Sequence, residues 1–325
     1  MRGHGIERNL IMPHNEKKTY SLLPYTREDV YSLQEAQQAA GWQITRFNLP
    51  DKWKLSQGEG VKIAVIDTGV DLEHPDLKNN LLQGKNFVER NKDPIDVNSH
   101  GTHVAGTICA ENNDIGMIGV APKSKVIPIK ALDDRGNGNP RDIEEAIIWS
   151  ADQGADLITM SLGSPHQVES MKKAISYALS KKCITFCAAG NAGKTHEIYY
   201  PANYPETLGI GAIDENLERA PFSCTGSDLD FLAPGVKIFS TVPKGWYAYM
   251  SGTSMSNPFA VGCAALLLSY IRNNKVDIKL ENDEDYRKIL KKNTISLNNP
   301  EFSKNKFFEG FGIIDPSNFE IWLQG

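Results

Sequence analysis

From residue 61 onward, short apolar runs alternate with amphipathic stretches, and this rhythm limits the chain to few architectures. Strand-like runs are KIAVID (62–67), KVIPIKAL (125–132), LITMSLG (157–163), CITFCAAG (183–190) and LGIGAID (208–214). Several lack a two-residue alternation, as expected of parallel strands covered on both faces. Between them, Asn139-Pro140 opens a helix carrying Ile143, Ile147 and Ala151 on one side. Asparagine caps well there, and proline suits the first helical position. A second helix is expected over 167–181, with Met171, Ala174, Ile175 and Ala178 at helical spacing. The apolar run 253–271 predicts a buried central helix. Repeated strand–helix–strand units imply right-handed crossovers and an α/β fold with a mostly parallel central sheet and helices on both faces. Ligands of such sheets bind at the carboxyl ends of the strands. Asp67, Ser161–Gly163 and Ala188–Asn191 all fall at such ends, which predicts one shared cleft.

Three short segments far apart place an acid, an imidazole and a hydroxyl in glycine-marked turns. They are VIDTGV around Asp67, SHGTHVAGT around His100 and GTSMSNP around Ser254. A serine hydroxyl is a weak nucleophile until an imidazole can take its proton. That imidazole needs a buried carboxylate to fix its tautomer and stabilise its charged form. Ser254 opens the apolar helix, whose free amides and partial positive charge suit a developing oxyanion. Pro258 is tolerable because it lies in the first turn. Two histidines at i, i+3, His100 and His103, could alternatively hold a metal, but no third His or Cys stands nearby and no HExxH is present.

The chain order Asp, His, Ser and the wording of the three segments resemble the subtilisin-like serine proteases over about residues 22–270. The resemblance implies a subtilisin-like three-layer fold and a serine endopeptidase acting on polypeptides. It places the base at His100 and leaves His103 as a structural neighbour. It assigns Asn191, at the end of Ala188-Ala189-Gly190-Asn191, as oxyanion donor together with the Ser254 amide. Gly136-Asn137-Gly138 and Ser161-Leu162-Gly163 resemble the two edges that clamp an extended peptide. Ala188, Ala189 and Gly190 would wall the pocket for the residue before the scissile bond, with Tyr199–Ala202 near its floor. Asn98 is neutral where the kexin-like branch carries an aspartate, so strict dibasic cleavage is not expected. Ser256 and Phe259 depart from the family's usual alanine and histidine.

By the same resemblance, residues 111–117 form a calcium loop. Its ligands would be the side chains of Asp76 and Asn113 and the carbonyls of Glu111, Ile115 and Met117. A further ligand is implied somewhere in the amino-terminal segment. Leu22-Leu23-Pro24-Tyr25 is similar to a motif of the intracellular subtilisins that blocks the cleft, and LLQGKNF (81–87) also resembles that branch. Leucines can fill apolar subsites, while proline fixes φ and lacks an N–H. Residues 1–25 are therefore expected to be an inhibitory extension and 26–325 the peptidase domain with a charged tail. Within the extension, 1–21 reads as a mobile arm. A homodimer is implied by the branch alone.

Net charge is −5 over 325 residues, which argues against general nucleic-acid binding. No membrane span is expected. The start MRGHGIERNLIMPHNEKK has no apolar core of a secretory leader, so a chain beginning there is expected in the cytoplasm. The five cysteines suit reduced, buried thiols, and Cys183 and Cys187, roughly 13 Å apart on a strand, cannot pair. Two other readings are a protease dedicated to one peptide precursor and a catalytically silent peptide-binding homologue.

Overall fold

A computed structural model of the chain describes residues 19–32, 38–193 and 197–323. Most of the expected arm, 1–18, lies outside the described residues. Its last two residues do not fit that expectation: strand β1 (Tyr20–Leu22) begins at Tyr20, because both of its edges find partners.

The centre is a nine-stranded sheet. From β3 (Lys62–Asp67) it runs on one side through β5 (Lys125–Lys130) to β4 (Lys85–Asn86). On the other side it runs through β7 (Leu157–Met160), β9 (Ile184–Ala188), β10 (Thr207–Ile213) and β11 (Phe231–Pro234). The short β15 (Ile313–Ile314) and β14 (Thr294–Ile295) close that edge, and only the β14–β15 pair is antiparallel. β7, β9, β10 and β11 are buried at every residue, which explains their unalternated sequences.

Two short helices, α1 (Trp42–Arg46) and α2 (Leu49–Lys52), lead into the sheet. Over one face, α3 (His100–Cys109) packs on α6 (Thr253–Asn274); over the other, α4 (Pro140–Asp152) packs on α5 (Glu169–Ser180). Asn139 caps α4 by accepting from the Arg141 amide at 3.0 Å. A seventh helix, α7 (Asp283–Lys291), lies in the tail and is capped by Asn282. By length and composition α6 could cross a bilayer, contrary to the expectation of no such span, but 94 % of its qualifying window is buried in the protein. Phe259 packs on Phe47 with ring centroids 5.4 Å apart, so the amino-terminal segment fills the space around this departure from the family wording. All five cysteines are free and buried.

One expected strand divides. The run 157–163 leaves the central sheet after Met160, and Leu162–Gly163 (β8) joins a separate small sheet with β1 and β6 (Asn137–Gly138). A third sheet holds β12 (Ile238–Val242), β13 (Trp246–Ser251) and β2 (Thr26–Tyr31). The break at Ser161 lets one stretch of chain serve both the core and the cleft.

Candidate active site

Asp67 ends β3 and is 1 % exposed. Its Oδ1 accepts from the Thr68 amide at 2.7 Å, and both carboxylate oxygens lie within 3.0 Å of His100 Nδ1. That contact orients the imidazole so that Nε2 points away from the acid. His100 is the first residue of α3, whose start fits tightly over the Asp67 turn. A Cβ on Gly101 would lie 2.1 Å from the Gly69 carbonyl oxygen, so only glycine allows this approach.

A further carboxylate organises the same corner. Asp96 accepts from Thr68 Oγ1 (2.9 Å), Thr102 Oγ1 (2.6 Å) and the amides of Asn98 (2.8 Å), Ser99 (3.1 Å) and Thr102 (3.0 Å). Burial pushes its carboxyl above the usual range, against the pull of these donors. Asp96 was not among the residues expected from the sequence; its place two and three residues before the amides of Asn98 and Ser99 is the local signal that could have found it. His103, one turn after His100, is buried, with Nε2 3.0 Å from the Ile238 carbonyl and 3.2 Å from that of Ala248. Burial, reinforced by His100, lowers its pKa to about 3, so it is a neutral structural ring at ordinary pH.

Ser254 is the second residue of α6. Its Oγ donates to the Ser161 carbonyl at 3.3 Å, and His100 Nε2 has no hydrogen-bond partner. Among the described residues the serine and the imidazole are therefore not hydrogen-bonded to each other, and the ring of Tyr25 lies against His100 with centroids 4.9 Å apart. Asn191 Oδ1 accepts from the Thr253 amide and hydroxyl, each at 2.9 Å. Those two bonds turn Nδ2 into the cleft, where it donates to the Pro24 carbonyl at 2.7 Å.

The amino-terminal segment fills the cleft. β1 lies antiparallel between β6 and β8, pairing Tyr20 with Gly138, Ser21 with Asn137 and Gly163, and Leu22 with Leu162. The Leu22 amide donates to Gly136 O at 2.8 Å, and a Cβ on Gly136 would sit 2.6 Å from the Leu22 side chain. Leu23 is 1 % exposed, against Gly163 and beside Tyr199, which also faces Gly190. Ala188 and Ala189 are buried at the end of β9. Residues 194–196 of the expected pocket loop lie outside the described residues. Tyr25 donates to Asn98 Oδ1 (3.3 Å) and Arg27 to Ser99 Oγ (3.0 Å) before β2 pairs with β13. Tyr20, fully buried, was not among the expected inhibitory residues.

Residues 111–117 fold around the buried Asp76. Its Oδ2 accepts from the Met117 amide (3.0 Å) and the Tyr247 hydroxyl (2.8 Å), and its Oδ1 from Asn113 Nδ2 (3.1 Å). Gln38 reaches in from the amino-terminal side, its amide 2.5 Å from Glu111 O and 3.0 Å from Met117 O. Two carbonyls therefore converge on one amide group beside a buried carboxylate. Rotated by a half turn, that amide offers oxygen to the same spot, making an all-oxygen set of the kind calcium takes. Gln38 is thus the residue of the amino-terminal side that stands at these carbonyls, a position the sequence alone did not locate. Ile115 is exposed at the tip of this loop. Among the described residues, no three His, Cys, Asp or Glu side chains gather as a metal site.

Comparison with known proteins gives the family of the chain. The subtilase family model matches residues 58–312. An intracellular serine protease of Paenibacillus polymyxa is 39 % identical over 81 % of this chain and 82 % of its own length. Subtilisin E of Bacillus subtilis is 42 % identical over 78 % of this chain and 67 % of its own. A thermophilic serine proteinase of Bacillus sp. (strain AK1) is 46 % identical over 68 % of this chain, which spans only 56 % of that protein's length. The family match covers every strand of the central sheet but β15, and all three glycine-marked segments: the chain belongs to the subtilase family and is a subtilisin-like serine protease.

Proposed function

We propose that the chain cuts peptide bonds through Ser254, His100 and Asp67, and that residues 20–31 hold it inactive as a strap across the cleft. Ser254 Oγ attacks the peptide carbonyl while His100 takes its proton and returns it to the leaving amine. Asp67 keeps the imidazole in the required tautomer and stabilises its charged form. Asn191 Nδ2 and the Ser254 amide face the oxyanion as charge develops. Water then hydrolyses the acyl-enzyme with the same groups.

One observation carries the inhibitory reading. Leu23 occupies the side-chain pocket, yet the carbonyl at Asn191 belongs to Pro24. In a cleavable peptide, the residue filling the pocket and the carbonyl at the oxyanion donor are one and the same. Here they are consecutive residues, so neither flanking bond of Pro24 is presented for attack. The Ser254 hydroxyl meanwhile points at Ser161 rather than His100.

The calcium reading rests on Gln38, Asp76 and Asn113 with the carbonyls of Glu111, Ile115 and Met117. A bound ion would neutralise the buried Asp76 and tie the segment around Gln38 to the body. Thermal stability should then rise clearly in calcium over a strong chelator; equal melting curves would remove the site. Five unpaired buried thiols and the intracellular relative support a cytoplasmic working place.

The deciding experiment labels the full chain with a serine-reactive fluorophosphonate, comparing wild type, Leu23→Asp and Ser254→Ala. Leu23→Asp should label much faster than wild type and Ser254→Ala not at all. Equal slow labelling of all three would indicate a silent fold. Equal fast labelling of wild type and Leu23→Asp would leave the enzyme and remove the strap.

A further inference from the structure

β13 runs directly into Gly252-Thr253-Ser254, and its two edges have different fates. One is paired with β12 through the residues from Ile238 to Val242. The other carries β2, with Thr26 opposite Ser251, Arg27 opposite Met250, Val30 opposite Ala248 and Tyr31 opposite Tyr247. Pro24 supplies the carbonyl at Asn191, so Tyr25 stands where the first residue after the scissile bond would stand. By that count Thr26 is the second downstream residue and Tyr31 the seventh.

We propose that the β2-facing edge of β13 is a docking edge for the downstream part of the polypeptide substrate, reaching to its seventh residue. The inference rests on the strap reading, because it treats β2 as a stand-in for substrate. When the strap leaves, one edge of β13 is left with unpaired N–H and C=O groups beside the nucleophile, and such an edge pairs readily with an extended chain. Main-chain bonds along a sheet edge supply affinity with little sequence demand, while side chains set preference at chosen positions. The chemistry that fits is an unfolded, extended polypeptide rather than a short peptide.

The far end of the edge adds a preference. Tyr31 meets Tyr249 edge-on, with centroids 6.2 Å apart and planes at 89°. Tyr249 is backed by Phe239 at 5.0 Å. An aromatic side chain seven residues past the cut would find the same ring.

The test uses the full chain carrying Leu23→Asp and internally quenched peptides identical up to the scissile bond. One series carries two downstream residues and another seven. The longer peptides should have kcat/KM at least tenfold higher, mainly through KM. The pairing shifts register by one residue between Arg27 and Val30, so positions three and six, opposite Met250 and Ala248, share one facing, and positions two and seven, opposite Ser251 and Tyr247, share the other. N-methylation of one of these pairs should cancel the gain, and methylation of the other should not. Replacing an aromatic seventh residue by serine should cost about threefold. Equal rates for the two lengths, or equal effects of the two methylated sets, would overturn the proposal. Failure of Leu23→Asp to label faster than wild type counts against the strap alone; the length series on wild type then decides the edge.

Discussion

The two halves of the strap are held in different ways. β1 has three residues but is paired on both edges, and it brings the buried side chains of Tyr20 and Leu23. β2 has six residues, pairs among the described residues on one edge only and leaves Val30 36 % and Tyr31 44 % exposed. Full burial of one large apolar side chain contributes roughly 1.5–3 kcal/mol, whereas a typical backbone hydrogen bond nets about 1 kcal/mol. The shorter strand is therefore the anchor, and the longer one can peel from its free edge. Length of pairing is a poor guide to hold when only one half delivers side chains into pockets.

Three measurements would sharpen or break this contrast. The largest effect belongs to the residue where the two halves meet. Asn191→Ala, made in the Leu23→Asp background, should lower kcat by about 10²–10³, the loss already measured when a subtilisin's own oxyanion asparagine is removed. A loss under threefold would mean that the Pro24 contact marks a structural amide and not an oxyanion donor.

Next comes the anchor against the peeling strand in an otherwise native chain. Leu23→Ala should raise fluorophosphonate labelling by on the order of tenfold or more, from a lost burial of about 2 kcal/mol. Tyr31→Ala should change it less than threefold. Equal responses would show a strap held evenly along its length.

The smallest effect tests the frame beneath both halves. His103 is neutral in the fold with its pKa lowered to about 3, against an ordinary 6.5. Its contribution is thus complete above pH 6.5 and shrinks as pH falls through that window, because the unfolded chain binds the proton first. Between pH 6.5 and 5 this amounts to about 2 kcal/mol. His103→Gln should flatten the fall of melting temperature over that range, and His74, also lowered by burial, should supply part of the remaining slope.

What the sequence made readable was local. Asp67, His100 and Ser254 each sit at the end of a strand or the start of a helix, with glycines and neighbours within a few residues, and the parallel core announces itself by unbroken apolar runs. The unread parts depend on partners distant in the chain. Tyr20 matters because Gly138 pairs with it and the strand it opens runs on to Gly163, and Gln38 because Glu111 and Met117 turn their carbonyls toward it. Thr26–Tyr31 carries no strand signature beyond a leading Thr26 and a closing Val30-Tyr31, and its pairing depends on an edge about 220 residues later. The run 157–163 reads as one strand because nothing in its composition marks the change of sheet at Ser161.

The Asp96 cluster has a consequence for where the entropy of orientation is spent. Five donors drawn from the Asp67 turn, the loop before α3 and the first turn of α3 meet on one buried carboxylate. Freezing those groups is a cost of folding, and it is over before any peptide arrives. Substrate binding then need not immobilise the imidazole, so loosening this corner should lower the protein's melting point and its turnover together, and a stabiliser placed elsewhere could restore the first but not the second.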